Sequence, residues 1–74
     1  MIKFKSFNVY GSDYHDALNR GLNELEEYIN TFLIDRGITK DQILDIKTNY
    51  NTEEGDCYTP SYYDIDAVLT YWVE

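Results

Sequence analysis

At 74 residues and a net charge of −8, the chain is one small acidic domain, 1–74. A core of that size supplies only about 3–5 kcal/mol unless something staples it. One cysteine, Cys57, excludes an internal disulfide, and one histidine, His15, argues against a closed zinc site. Self-association is therefore the expected further source of stability. The acidity argues against nucleic acid or anionic membrane as a direct partner, since both need a basic patch. No apolar run approaches a bilayer span, and Lys3 and Lys5 interrupt the N-terminal apolar residues, so no signal peptide is read. A lone thiol with no targeting signal points to the cytoplasm.

Residues 2–10 read as a first strand. Ile2 and Phe4 alternate with Lys3 and Lys5, and then Phe7 and Val9 take the odd positions. That slip of phase predicts a β-bulge near Lys5–Ser6, or burial on both faces at the far end. Gly11 ends the strand, with Ser12 or Asp13 as helix N-cap.

Residues 12–36, SDYHDALNRGLNELEEYINTFLIDR, read as one long amphipathic helix. Tyr14, Ala17, Leu18, Gly21, Leu22, Leu25, Tyr28, Ile29, Phe32 and Leu33 fall within one arc of roughly 160°. An arc that wide fits a helix lying on a sheet. Gly21, in the middle of the apolar face, costs about 1 kcal/mol relative to Ala. It implies close approach of another backbone, the sheet beneath or a partner helix. Arg36 followed by Gly37 is a C-terminal signal.

A polar turn leads into ILDIKTNY, a half-buried strand with Leu44, Ile46, Thr48 and Tyr50 on one face. The acidic loop 51–61 carries Gly55 and Pro60 and is long for a hairpin. The final strand, 62–73, is the longest and most apolar, so it takes the centre of the sheet. Tyr63, Ile65, Ala67, Leu69, Tyr71 and Val73 face the helix. Asp64, Asp66, Val68, Thr70 and Trp72 face away. A right-handed crossover then predicts an α+β, β-α-β-β fold with one long helix on a three-stranded antiparallel or mixed sheet, strand order 1-3-2. Lys3 or Lys5 and Lys47 are expected to flank Asp64 and Asp66 on the outer face as cross-strand ion pairs.

Chemistry has few footholds. His15 and Cys57 lack a third group to orient them, so no catalytic residues are assigned and an enzyme is not expected. Glu53, Glu54 and Asp56 do not keep calcium-loop spacing, and no metal or cofactor is assigned. The eight tyrosines are the unusual feature. Tyr50, Tyr58, Tyr62 and Trp72 are the candidate ligand- or partner-binding residues, because their rings offer rigid contact area with a polar tip. Val68, Thr70 and Trp72 on the uncovered outer face, together with Gly21, are the candidate oligomer interface.

The segments NTFL at 30–33, ILDIK at 43–47 and AVLTY at 67–71 resemble the Cse family of small sporulation-associated proteins of spore-forming bacteria and their phages. That resemblance implies a β-α-β-β fold, no established activity and no transferable site residue. VYGSDYHDAL at 9–18 is similar to the first turn and helix start of the dodecins, hollow oligomers that bind flavin. Ile43 and Leu44 stand where a dodecin places its flavin-stacking tryptophan, so this resemblance implies the oligomeric mode without the flavin.

The expected function is a small, non-catalytic binding protein that forms a homo-oligomer. A bacterial or phage accessory role, inhibiting a host protein, fits its size and charge. One alternative is an oligomer that sequesters a small nucleotide-like ligand between tyrosines, which requires cations in a shared pocket. Another is an acidic nucleic-acid mimic, which requires carboxylates spaced like phosphates on one surface.

Overall fold

The computed structural model describes residues 1–74. They run in the order β1 (Ile2–Asp13), α1 (Ala17–Arg36), a 3-10 turn (Lys40–Gln42), β2 (Ile43–Glu53) and β3 (Ser61–Trp72). The fold is α+β, one helix on a three-stranded sheet ordered β1-β3-β2. β1 and β2 each pair antiparallel with β3. The most deeply buried strand therefore lies in the centre, where both its edges and one face are covered, although β1 equals it in length at 12 residues.

The helix starts later than its periodicity implies. β1 continues through Gly11 and Ser12 to Asp13, and Tyr14 stands exposed in the turn rather than on the helix face. Asp13 Oδ1 accepts from the His15 N–H at 2.8 Å and from the Asp16 N–H at 3.4 Å. Asp16, not Ser12 or Asp13, is the N-cap, accepting from the Asn19 N–H. The far end is as expected. Gly37 adopts φ +64° and donates to Ile34 O, while Ile38 donates to Leu33 O.

α1 lies over β1 and β3 and leaves the helix-side face of β2 uncovered. The core is consequently thin. Val9, Ala17, Leu25, Tyr63, Ile65, Ala67 and Leu69 are its buried side chains, with Gly21 buried among them. Gly21 lets the helix settle onto the sheet. A Cβ there would lie 2.6 Å from Tyr63 Cδ2 and 2.7 Å from Ile65 Cδ1. The glycine thus serves contact with the sheet of its own chain, and as a buried residue it is withdrawn from the candidate oligomer interface.

Two strand readings are corrected. β1 contains no bulge: it runs in unbroken register from Ile2↔Trp72 to Asp13↔Ser61. Lys3 and Lys5 therefore share the helix side with Phe7 and Val9, opposite Tyr71 and Leu69. Lys5 tolerates that face because its ammonium stands over aromatic rings, with Nζ 5.9 Å from the Phe7 centroid and 5.6 Å from that of Phe32, and both lysines remain exposed at their tips. The irregularity occurs instead in β2, between Ile43 and Asp45. It brings Ile43 and Ile46 to the helix side and leaves Leu44 half-exposed.

Tyr63 joins the core to a titration. Its ring is buried under α1, and its hydroxyl donates to Glu24 Oε2 at 2.9 Å. Burial, reinforced by the Glu24 carboxylate, pushes its phenol above the ordinary value. The folded pKa is raised, so the contribution to stability is complete below about pH 10 and falls as pH rises through the folded value. At the acid end the sign reverses. The His15 N–H, then Arg20, hold the Asp13 carboxyl below its usual range, so that contribution is lost as pH falls through the folded value. In an alkaline titration followed by phenolate absorbance and circular dichroism, the Tyr63 phenolate is expected to form only as the fold is lost. A Tyr63 phenolate formed while the circular dichroism is intact would contradict its burial.

Candidate functional site

One face of the sheet carries the helix and the other carries nothing. On the open face the registers place Ile2 beside Trp72, Phe4 beside Thr70, and Ser6 beside Val68. Asp45 and Lys47 complete the second and third of these rungs from β2. Ile2 is 53% exposed, Phe4 71%, Val68 41% and Trp72 46%. Four large apolar side chains are thus contiguous on adjacent strands at one end of the open face. Val68, Thr70 and Trp72 stand where the alternation of β3 puts them.

Ile2 and Phe4 are the residues that sequence reasoning missed. The assumption that lysines face water sent their neighbours to the core. An unbroken alternation through 2–12, with no slip imposed, would have found them.

Beyond Val68 the same face turns polar. Asn8 Nδ2 donates to Asp66 Oδ1 at 2.6 Å and to Asp64 Oδ1 at 2.7 Å. One amide thus sits between two carboxylates, in the role expected for lysines. The expected ion pairs do not form, because Lys3 and Lys5 lie on the other face and Lys47 stands opposite Val68. The molecule's one ion pair joins Arg20 Nη1 to Asp13 Oδ2 at 3.3 Å.

The four aromatic candidates do not form one site. Tyr62 lies on the open face next to Ser12 and Glu53. Trp72 is on the same face, ten residues further along β3, roughly 33 Å away in an extended strand. Tyr50 pairs with Ile65 and so lies on the helix side of the edge strand. Its hydroxyl accepts from Thr48 Oγ1 at 2.9 Å. Tyr58 stands in the loop, 85% exposed.

That loop is shorter than expected, 54–60, because β2 runs on to Glu53 and β3 begins at Ser61. Asp56 organises it, with Oδ1 accepting from the Tyr58 and Thr59 N–H groups at 2.7 and 2.9 Å. Those bonds hold the Asp56 carboxyl below its usual range. Tyr62 borders a shallow depression of about 360 Å³, shared with Asn51, Thr52, Glu53, Tyr63 and Asp64. Its charged walls are carboxylates, so it suits a cationic or neutral group and repels phosphate.

No helix of the structure is long and apolar enough to cross a membrane. Comparison with known proteins finds no matching family model, no matching curated protein and no matching solved structure, so a functional reading of this chain rests on its own geometry.

Proposed function

We propose that the chain is a non-catalytic binding protein that works as a self-assembled unit, with copies joined through the apolar half of the open sheet face. The observation that carries this reading is the contiguous patch of Ile2, Phe4, Val68 and Trp72, facing water in a single chain. A Trp on the central strand with aliphatic and aromatic neighbours beside it is the composition of an interface anchor.

The size of the exposed surface agrees. The single chain presents 5664 Å². A compact monomer of 8.8 kDa is expected to present about 4,800 Å². The excess, about 900 Å², is close to the share that one partner contributes to a standard interface, about 800 Å². The shape is drawn out in the same sense: the radius of gyration is 14.6 Å, against about 11 Å for a compact domain of this length.

The assembly keeps most of its acidic surface free, since Asp64 and Asp66 lie beyond Val68 and further carboxylates lie on the helix, while Asp45 and Lys47 flank the patch as one charge of each sign. With a net charge of −8, it suits a protein partner with a basic surface. That is the setting in which a small accessory protein occludes a host target.

Light scattering on the purified protein tests the assembly. At about 10 μM, a concentration that populates an interface of micromolar affinity, the mass is expected to be a multiple of 8.8 kDa. Trp72→Glu and Phe4→Glu place a charge in the patch without touching the core, and each should return the mass to a single chain with the melting curve still cooperative. A wild-type protein of 8.8 kDa at that concentration would overturn the proposal.

A further inference from the structure

Three of the six cationic side chains of this acidic protein meet at one place, where the end of α1 reaches the start of β1. Lys3 pairs with Tyr71 on the helix side of the sheet, and Lys5 follows two residues on, on the same face. Arg36 closes the last turn of the helix. Phe32 ties the group together. Its ring packs edge-on against Tyr71, with centroids 5.7 Å apart. Lys5 Nζ and Arg36 Cζ each stand 5.6 Å from its centre. Between Lys3, Arg36, Gln42 and Tyr71 lies a cleft of about 270 Å³, with Ile38 and Val73 as its apolar walls.

None of the three cations is paired with a carboxylate, since the one ion pair of the molecule is Arg20 with Asp13. That is notable where Asp and Glu outnumber Lys and Arg by 14 to 6. Aromatic contact orients Lys5 and Arg36 and leaves their N–H donors unused. The helix dipole accounts for a cation at Arg36. It does not account for Lys3 and Lys5, which arrive from a strand.

We propose that this cleft binds a small phosphorylated molecule, its phosphate held by Lys3 and Arg36 and its organic part against Tyr71, Ile38 and Val73. An Arg fork with a Lys point charge beside it matches a dianion carrying several acceptor oxygens, and Lys5, two residues along the same face of β1, adds positive field nearby. A cleft just below the usual size of a ligand pocket suits a compact organic group next to that anion. All of these residues come from one chain, so the site is independent of the self-assembly proposed above.

Calorimetry and amide NMR at constant ionic strength test the site, using ADP, pyrophosphate, citrate and adenosine as probes. ADP and pyrophosphate are expected to bind saturably, with ADP the tighter, shifting the amides of Lys3, Arg36 and Tyr71. Adenosine should not bind measurably. Arg36→Gln and Lys3→Gln should each weaken pyrophosphate at least about tenfold, the loss of one charge-assisted contact. Lys47→Gln, on the opposite face of the sheet, should leave it unchanged.

Absence of saturable binding at about 10 mM, weaker than any affinity of use, would overturn the proposal. So would an equal loss in Lys47→Gln, which indicates diffuse attraction, or citrate binding as tightly as pyrophosphate, which indicates a carboxylate site. Light scattering on the same samples reads the assembly separately.

Discussion

Ile65→Ala is expected to leave the chain largely unfolded at 25 °C. Ile65 is fully buried on the central strand, with Val9 across one edge and Tyr50 across the other. Its Cδ1 fills the space beneath Gly21. Truncating a buried Ile to Ala costs about 2–5 kcal/mol, the lost transfer energy plus the cavity left behind. A single core of this size supplies about 3–5 kcal/mol, so the two terms are of equal size. The core has little capacity to relax into the hole, since eight residues in all are buried.

Ile65→Val, which removes only the terminal methyl, should cost about 0.5–1.5 kcal/mol and stay folded. Urea denaturation followed by circular dichroism distinguishes these outcomes. A midpoint for Ile65→Ala close to that of the parent would mean that the fold draws its stability from elsewhere, and the proposed interface between copies is the natural source. Lowering the protein concentration should then bring the Ile65→Ala midpoint down, because assembly stabilises the folded chain by mass action.

The parts of the fold that could be read from the sequence are those set by local periodicity. The apolar arc from Ala17 to Leu33 names the helix, and the alternation from Tyr63 to Val73 names the central strand. Together with the handedness of the crossover they lead to the order β1-β3-β2 found here. The misread parts depend on contacts across the chain. Whether Lys5 faces water or the helix is decided by Phe32, 27 positions later, whose ring it covers. The bulge at Leu44 follows from fitting β2 against β3, and nothing in ILDIK announces it.

The same distinction applies to function. Val68, Thr70 and Trp72 on the open face could be named from one strand. Ile2 and Phe4, their neighbours in the patch, required the register of another. The cationic cleft joins residues 3, 36, 42 and 71, a set that no local pattern connects. The tyrosines are dense in the sequence without being a cluster in space. Strand alternation separates Tyr50 from Tyr62, and strand length separates Tyr62 from Trp72.

Gly21→Ala is expected to destabilise the protein by about 1–3 kcal/mol, against the sign that helix propensity alone would give. In an exposed helix interior the change would add up to about 1 kcal/mol of stability. Here the new Cβ would sit 2.6 Å from Tyr63 Cδ2 and 2.7 Å from Ile65 Cδ1. Ile65 Cδ1 is a terminal methyl, but it belongs to a fully buried side chain with no room to swing aside, and the buried Tyr63 ring is rigid and also held by Glu24. Relief requires α1 to lift from the sheet or both side chains to leave their rotamers, and overpacking of that kind costs about 1–3 kcal/mol. In a domain of this length each kcal/mol lowers Tm by roughly 4–8 °C. Combining the change with Ile65→Val removes one of the two obstructing atoms. The double variant should therefore lose less than the sum of the single variants, a coupling of about 0.5 kcal/mol or more. Strict additivity, or a Tm for Gly21→Ala above that of the parent, would place the helix further from β3 than the structure has it.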